Sequence, residues 1–269
     1  ALPYDYYSDF DIKNRHIYIE SSRGCPFTCE FCLSSIDSSM RYLPVDVFLN
    51  EIDKLWNRGA RNYKFIDRTF NLKISYAKAI LDYFLAKDDD YFLHFEVIPD
   101  NFPPELRELL KKFKAGSLQL EVGIQTLNLD VAKNINRNLK IDKIKENLAF
   151  LSSETNAHMH IDLIVGLPSE TINSFAQNLN LLYTLSSGEI QIGILKKLSG
   201  TENAIDAFSQ KSEGNVRSSC KYLRRVGCLR LSRCAVSERL RPRKRCAALN
   251  LSRLYMEFSL ANIKLPRDH

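Results

Sequence analysis

Three cysteines close together in the sequence are the residues best suited to chemistry. Cys25, Cys29 and Cys32 lie within eight residues in a C-x3-C-x2-C spacing, beside a glycine and a proline. Soft thiolates select zinc, Cu(I) or iron-sulfur clusters. Structural zinc needs four ligands, but the nearest histidine, His16, is nine residues upstream and the next cysteine is 188 residues downstream. The spacing favours a 4Fe-4S cluster with one iron free of protein ligands, and packing thiols or a zinc site completed by a distant ligand are the alternatives.

The elements that must position these cysteines alternate between two sequence patterns. Short runs rich in β-branched and aromatic residues predict strands, and segments with apolar residues at helical spacing predict helices between them. A repeated strand-helix order with short connections predicts parallel strands covered by helices. The strands are expected at 16–20, 62–66, 91–97, 118–124, 158–165 and 189–195, and the helices at 44–58, 75–86, 104–113, 142–151 and 169–185.

Six strand-helix units, rather than eight, predict an α/β fold, a partial (β/α)6 TIM-like barrel over residues 16–200. In such folds chemistry gathers at the carboxyl ends of the strands. Polar residues follow each of the six predicted strands, beginning with the cysteine loop, so one shared site is expected there. The strand histidines His94, His158 and His160 are expected to be hydrogen-bonded core or rim residues rather than ligands.

Composition excludes several classes of protein. The chain has 269 residues, of which 45% are apolar and 26% charged, as in a globular protein with one sizeable core and a small appendage. Its apolar stretches fall far short of the roughly 20 residues of a spanning helix, so no membrane partner is expected. Seven cysteines, three of them clustered, argue against a secreted disulfide scaffold. The acidic, aromatic start is unlike a secretory signal, and a cytoplasmic location is expected.

Residues 201–269 are expected to be a basic C-terminal extension. Residues 211–253 hold 13 Lys and Arg against two Asp and Glu, and the other four cysteines also lie beyond residue 219. The strand-helix rhythm fades, and arginine outnumbers lysine 11 to 4 over 211–269. Two hypotheses compete, a nucleic-acid-binding arm that contacts phosphates and out-of-frame translation. A nucleic-acid partner is expected only through this extension, and a zinc-containing nucleic-acid-binding protein is the alternative function.

The cysteine spacing, with Phe31 just before the last cysteine, resembles the signature of radical S-adenosylmethionine (radical SAM) enzymes. The resemblance implies that Cys25, Cys29 and Cys32 hold a 4Fe-4S cluster, whose open iron takes the amino and carboxylate groups of S-adenosylmethionine (SAM). One electron through the cluster would cleave SAM to a 5′-deoxyadenosyl radical, which abstracts hydrogen from a substrate. The resemblance also implies an electron donor such as flavodoxin or ferredoxin.

Three later elements resemble the same family in order: H-F-E-V-I-P at the third strand end, E-V-G-I-Q-T in the fourth strand and D-L-I-V-G-L-P-S-E-T in the fifth. The resemblance implies that Glu96 holds the SAM ribose, that the Phe31 backbone lies against the adenine and that Arg137 lies near the SAM carboxylate. The full set of implied SAM contacts is Phe31, Glu96, Gln125, Arg137, Asp162 and Gly166.

Within the superfamily, the chain most resembles proteins that carry an N-terminal cobalamin-binding domain. The similarity lies in L-P-Y-D-Y at 2–6, E-S-S-R-G-C at 20–25 and F-I-D-R-T-F-N at 65–71. Residues 1–15 are therefore expected to be a linker from an upstream domain that is missing here, and cobalamin is expected as a cofactor only if that domain exists. Related enzymes perform methyl transfer or rearrangement, while the substrate and the catalytic residues stay unknown.

Overall fold

The computed structural model describes residues 2–195, which form a six-stranded parallel sheet and its connecting helices. Within this sheet, each strand is hydrogen-bonded to the sheet strand that follows it in the chain. The strands are, in chain order, β1 (Ile17–Ile19), β2 (Ser22–Arg23), β3 (Arg41–Tyr42), β4 (Asn62–Phe65), β5 (Phe92–Val97), β6 (Leu118–Gln125), β7 (His158–Val165) and β8 (Glu189–Ile194). The sheet runs β1-β4-β5-β6-β7-β8, and β2 pairs antiparallel with β3 in a separate hairpin.

Helices connect successive strands of the sheet, as the strand-helix rhythm predicts. All five expected helices are present, and two six-residue helices, the first and the fifth, were not predicted. The helices are α1 (Asp9–Asn14), α2 (Val45–Asn57), α3 (Ile74–Leu85), α4 (Pro104–Leu110), α5 (Leu129–Asn134), α6 (Ile141–Glu154) and α7 (Ile172–Leu185). The predicted α/β class and six parallel strands are confirmed, and within residues 2–195 β1 and β8 stand at the two edges of the sheet, so the barrel that these residues form is not closed.

The two faces of the central strands differ in polarity because side chains alternate along a strand. In β6, Leu118, Leu120, Val122 and Ile124 are at most 1% exposed and belong to the main apolar core. The alternate residues of β6 are half-buried, and three of them line a cavity described below. The sheet therefore hides an apolar face under its helices and keeps a polar face for the interior of the partial barrel.

Residues ahead of the sheet pack against it. Tyr4, in a short 3-10 helix over Pro3–Tyr6, is 4% exposed. Its hydroxyl donates to the Glu20 carbonyl oxygen at 3.1 Å and accepts from the Glu20 N–H at 2.9 Å. The role of residues 1–15 as a linker stays a prediction, and the basic extension lies outside the described residues. Within residues 2–195, none of the helices has both the length and the apolar character needed to cross a bilayer.

Candidate functional site

The three clustered cysteines lie in the loop between β2 and β3, directly after the first strand of the sheet. All three are free thiols; Cys25 and Cys29 are buried and Cys32 is half-buried. Backbone hydrogen bonds shape the loop: the Cys25 N–H donates to the Asp37 carbonyl at 3.0 Å, and the Cys32 N–H to the Cys29 carbonyl at 3.1 Å. Burial raises the pKa of the Cys25 thiol. Three free thiols in one loop are a donor set for a soft metal centre.

A buried carboxylate at the end of β4 fastens the start of this loop. Asp67, 1% exposed, accepts from the Ser21 N–H at 2.9 Å, from the Ser21 hydroxyl at 2.5 Å and from the Ser22 hydroxyl at 2.6 Å. Burial raises the pKa of Asp67. Asp67 thus fastens the start of the cysteine loop to the end of β4, a role that sequence analysis did not find.

Gly24 allows the loop to fold back on itself just before the first cysteine. Its φ is +97°, and a Cβ built there would stand 2.1 Å from the Ser39 carbonyl oxygen. Side chains rarely adopt a positive φ, and no real Cβ contact is that short. Only glycine therefore fits between the outgoing and the returning parts of the loop.

A cavity of about 600 Å³ opens at the carboxyl ends of the strands, beside the cysteine loop. Gly166, in the turn after β7 with a φ of +94°, is the one predicted ligand that does not line it. The other eight residues predicted as metal or SAM ligands are brought together around it: Cys25, Cys29, Phe31, Cys32, Glu96, Gln125, Arg137 and Asp162.

Glu96 enters the cavity from β5 and is paired with an arginine that was not predicted as a ligand. Arg68 Nη1 donates to both carboxylate oxygens of Glu96, at 2.9 and 3.1 Å. Burial raises the pKa of Glu96, and the Arg68 charge acts in the opposite direction. Arg68 follows β4 by three residues, and its place at a strand end was the only sequence signal for it.

Two carboxyl groups on β6 and β7, those of Glu121 and Asp162, contribute to the charge of the cavity wall. Burial, together with the charges of Glu121 and Glu96, raises the pKa of Asp162 to about 7. The hydrogen bond between His94 Nε2 and Glu121, at 2.7 Å, is the main cause that lowers the pKa of Glu121. Near neutral pH the Asp162 carboxyl is therefore partly protonated, while Glu121 stays ionised. Glu121 was also missed as a candidate, although it alternates with Gly123 and Gln125 along β6.

Arg137 joins the cavity wall to the cysteine loop. One of its terminal nitrogens donates to the Gly123 carbonyl oxygen, and Nη1 lies 3.6 Å from Cys29 Sγ. The buried Nε atom has no hydrogen-bond partner within residues 2–195. Next to it, Asn136 Nδ2 donates to the Thr28 hydroxyl at 2.6 Å across 108 residues of sequence. The segment after α5 thus covers the cysteine loop and brings an incompletely paired cation to its sulfur atoms.

A buried polar network supports the turns next to the cavity. Glu170, 5% exposed, accepts at Oε1 from the Thr126 hydroxyl at 2.9 Å and from Asn178 Nδ2 at 3.0 Å. Its Oε2 atom has no partner within the described residues. Burial raises the pKa of Glu170 to about 7. The folded protein therefore holds this proton more tightly than the unfolded chain does.

Replacing Glu170 by glutamine is expected to stabilise the protein above pH 7. Because the folded pKa is raised, the stability that the protonated carboxyl provides is complete below about pH 4.5 and is lost as the pH rises to about 7. Glutamine keeps the accepting oxygen and carries no charge. The free energy of urea unfolding should exceed that of wild type by roughly 3 kcal/mol at pH 8 and by little at pH 5. An equal difference at both pH values, or the same gain in the exposed control Glu105→Gln, would contradict the account.

Residues 19–182 match the model of the Radical SAM superfamily. The chain belongs to the radical SAM superfamily. Members of this superfamily use a 4Fe-4S cluster and SAM, and the predicted family membership is confirmed. An enzyme is therefore favoured over a zinc-containing nucleic-acid-binding protein.

Relatives of this radical SAM protein include transferases of methyl and methylthio groups. Ribosomal protein uS12 methylthiotransferase RimO of Nitratiruptor sp. is 21% identical over 71% of this chain and 46% of its own length. Cobalamin-dependent radical SAM methyltransferase TokK of Streptomyces tokunonensis is 25% identical over 65% of this chain and 27% of its own length. The chain thus spans less than half the length of either relative.

Among solved structures, the radical SAM methyltransferase TsrM from Kitasatospora setae is similar in fold. Its complex with tryptophan and a SAM analogue aligns with a TM-score of 0.61 and 18% identity, over 72% of this chain and 38% of TsrM. Another structure of TsrM contains cobalamin and a [4Fe-4S] cluster. The likeness confirms the TIM-barrel-like architecture predicted from the strand-helix rhythm, and at this identity it speaks for the fold alone.

Proposed function

We propose that this chain is a radical SAM enzyme in which Cys25, Cys29 and Cys32 ligate a 4Fe-4S cluster and the adjoining cavity binds SAM. The observation that carries the proposal is that the cysteine loop opens onto the same cavity as the polar ends of β5, β6 and β7. When bound, the reduced cluster supplies the electron that cleaves SAM into methionine and a 5′-deoxyadenosyl radical. The chain's own residues bind and orient SAM and exclude water from the radical.

The chemistry of the loop fits this cofactor. Three thiols supply the three ligands that a cluster with one open iron requires. The Arg137 guanidinium, whose Nη1 atom lies 3.6 Å from Cys29 Sγ, places positive charge beside a centre that carries thiolate charge. Asp67 and Gly24 position the start of the loop through protein contacts, with β4 and with the returning part of the loop.

The cavity offers complementary groups for several polar parts of SAM. The Glu96 carboxylate can accept from two vicinal ribose hydroxyls, and the charge of its Arg68 partner opposes the rise in pKa that burial causes. Arg137 is a planar donor suited to a carboxylate. The Phe31 backbone and Gln125 border the same space. The carboxyl of Asp162, whose pKa is about 7, can hold or release a proton near the bound ligand.

We further propose transfer of a one-carbon or methylthio group as the reaction class, with rearrangement as the alternative. RimO, TokK and TsrM, by their names, transfer methyl or methylthio groups. Cobalamin enters only if an upstream domain supplies it. An electron donor such as flavodoxin or ferredoxin would reduce the cluster, and three free thiols in one loop suit the reducing cytoplasm.

Anaerobic reconstitution tests the proposal. The full chain should take up about four iron and four sulfide per molecule, and addition of dithionite and SAM should release 5′-deoxyadenosine and methionine. Iron and sulfide are measured by colorimetric assay, and the products by chromatography with mass detection. Stoichiometric zinc with no uptake of iron would overturn the proposal.

Replacement of Glu96 by glutamine is expected to weaken SAM binding without loss of the cluster. The amide cannot accept from both ribose hydroxyls as the carboxylate does, and it leaves the Arg68 charge uncompensated. The dissociation constant of SAM for the reconstituted protein, measured by equilibrium dialysis, should rise at least about tenfold. Iron content should match that of wild type. An unchanged dissociation constant, or an equal rise in the exposed control Glu105→Gln, would remove Glu96 from the SAM site.

A further inference from the structure

A second group of metal-ligating side chains lies at the amino end of the sheet, opposite the cysteine loop. His158 and His160 are alternate residues at the start of β7, so they project from the same face. Glu189 is the first residue of β8 and stands in register with His160. The sequence predicts hydrogen-bonded rim histidines here, but the topology adds a carboxylate to the pair.

The three ligand atoms stand at distances suited to one metal ion. The two Nε2 atoms of His158 and His160 are 2.9 Å apart, and Glu189 Oε2 lies 3.4 Å from His160 Nε2 and 3.8 Å from His158 Nε2. Zinc bonds of about 2.0 to 2.2 Å in tetrahedral geometry place neighbouring ligand atoms roughly 3.3 Å apart. The three distances bracket this value. All three ligand atoms lie within 4.8 Å of one another, as the ligands of one ion must.

The surroundings of His160 supply the outer partner that a metal-bound imidazole needs. Its Nδ1 atom lies 2.5 Å from Gln191 Nε2 and 3.1 Å from Gln119 Nε2. A ligating histidine donates its other N–H to an oxygen, and a half-turn of the Gln191 amide exchanges its nitrogen for its oxygen.

We propose that His158, His160 and Glu189 bind a divalent transition-metal ion, zinc by preference, with water in the fourth position. Two imidazoles and a carboxylate suit zinc. His158 is exposed, which gives the ion access from solvent, and the three side chains leave the fourth ligand position to water. The ion would link β7 to β8, the edge strand of the sheet. This site is independent of the cysteine centre, because no residue is shared.

The test is zinc binding by the full chain after its iron-sulfur cluster has been reconstituted. Wild type should retain one zinc per chain more than His160→Ala after desalting, and His16→Ala, a change of an exposed histidine outside the group, should retain as much as wild type. Zinc-edge X-ray absorption should show nitrogen and oxygen ligands for this ion. Gln191→Ala should weaken zinc binding about 10- to 100-fold.

Equal zinc content in wild type and His160→Ala, or zinc bound to sulfur alone, would overturn the proposal. The near-isosteric Glu189→Gln change guards against a folding defect in the histidine variant, because it should lower zinc retention with iron content and circular dichroism unchanged. If this variant, folded and loaded with its cluster, retains zinc like wild type, the site is excluded. Iron and sulfide content report on the cysteine centre separately, so each proposal can fail alone.

Discussion

Replacing Cys29 by alanine is expected to abolish both the cluster and SAM cleavage. A cluster held by three thiolates loses a third of its protein ligands, and the two remaining sulfur atoms cannot hold four irons in place. Cys29 is also the buried thiol that Arg137 Nη1 approaches, so the change removes the sulfur on which the loop and the cavity wall meet. Formation of 5′-deoxyadenosine should fall below about 1% of the wild-type rate.

The matched control is Cys220→Ala, which removes a cysteine that the proposed site does not use. It should take up iron and cleave SAM as wild type does. Both variants are compared anaerobically by iron and sulfide analysis, by the visible absorption of the cluster and by product analysis. A Cys29→Ala protein with a full complement of iron and normal cleavage would show that the three clustered cysteines are not the ligands.

Replacing Gly24 by alanine should disable the same centre while all three cysteines remain. The new Cβ would stand 2.1 Å from the Ser39 carbonyl oxygen, which is backbone and cannot rotate away. A positive φ adds its own cost of about 1 to 2 kcal/mol. The loop must therefore move, and the thiols lose their common geometry. Unfolding free energy should fall by about 3 kcal/mol or more, and cluster uptake should drop severalfold.

Gly59 provides the control for Gly24, since it shares the backbone conformation without the crowding. Its φ is +101°, and a Cβ there meets nothing within 4 Å. Gly59→Ala should cost only the backbone term, about 1 to 2 kcal/mol, and should load its cluster normally. The free energy of unfolding is measured by urea titration, and loading by iron analysis. Equal losses of stability and of cluster in the two variants would show that steric contact with Ser39 does not position the loop.

The strands and long helices were predictable because their patterns extend over many residues. The observed β7 has the predicted bounds, and β6 differs by one residue at its end. The six-residue helices α1 and α5 are too short for a helical period to be recognised. The two-residue strands β2 and β3 exist only because the cysteine loop returns to pair with its own start. Local pattern carries no information about such a return.

The site could be predicted where one residue type is enough for the chemistry. It could not be predicted where the role of a residue depends on which distant residue it contacts. The cysteine spacing pointed to a metal centre, while Glu96 and Asp162 were named through the family resemblance. Asp67 and Arg68 act through partners 46 and 28 residues away, Ser21 and Glu96, and sequence alone does not reveal which residues meet. Gly166 was named with the other contacts, but it lies outside the cavity lining.

The segment after α5 that covers the cysteine loop is synthesised well after the loop itself. Thr28 lies in the loop, and its partner Asn136 follows 108 residues later. At roughly 5 to 20 residues per second, the ribosome needs about 5 to 20 seconds to make the intervening chain. During that interval the thiols have been made and their cover has not, which leaves them open to oxidation or to the wrong metal. Insertion of the cluster is accordingly expected to compete with damage on the scale of seconds for each new chain.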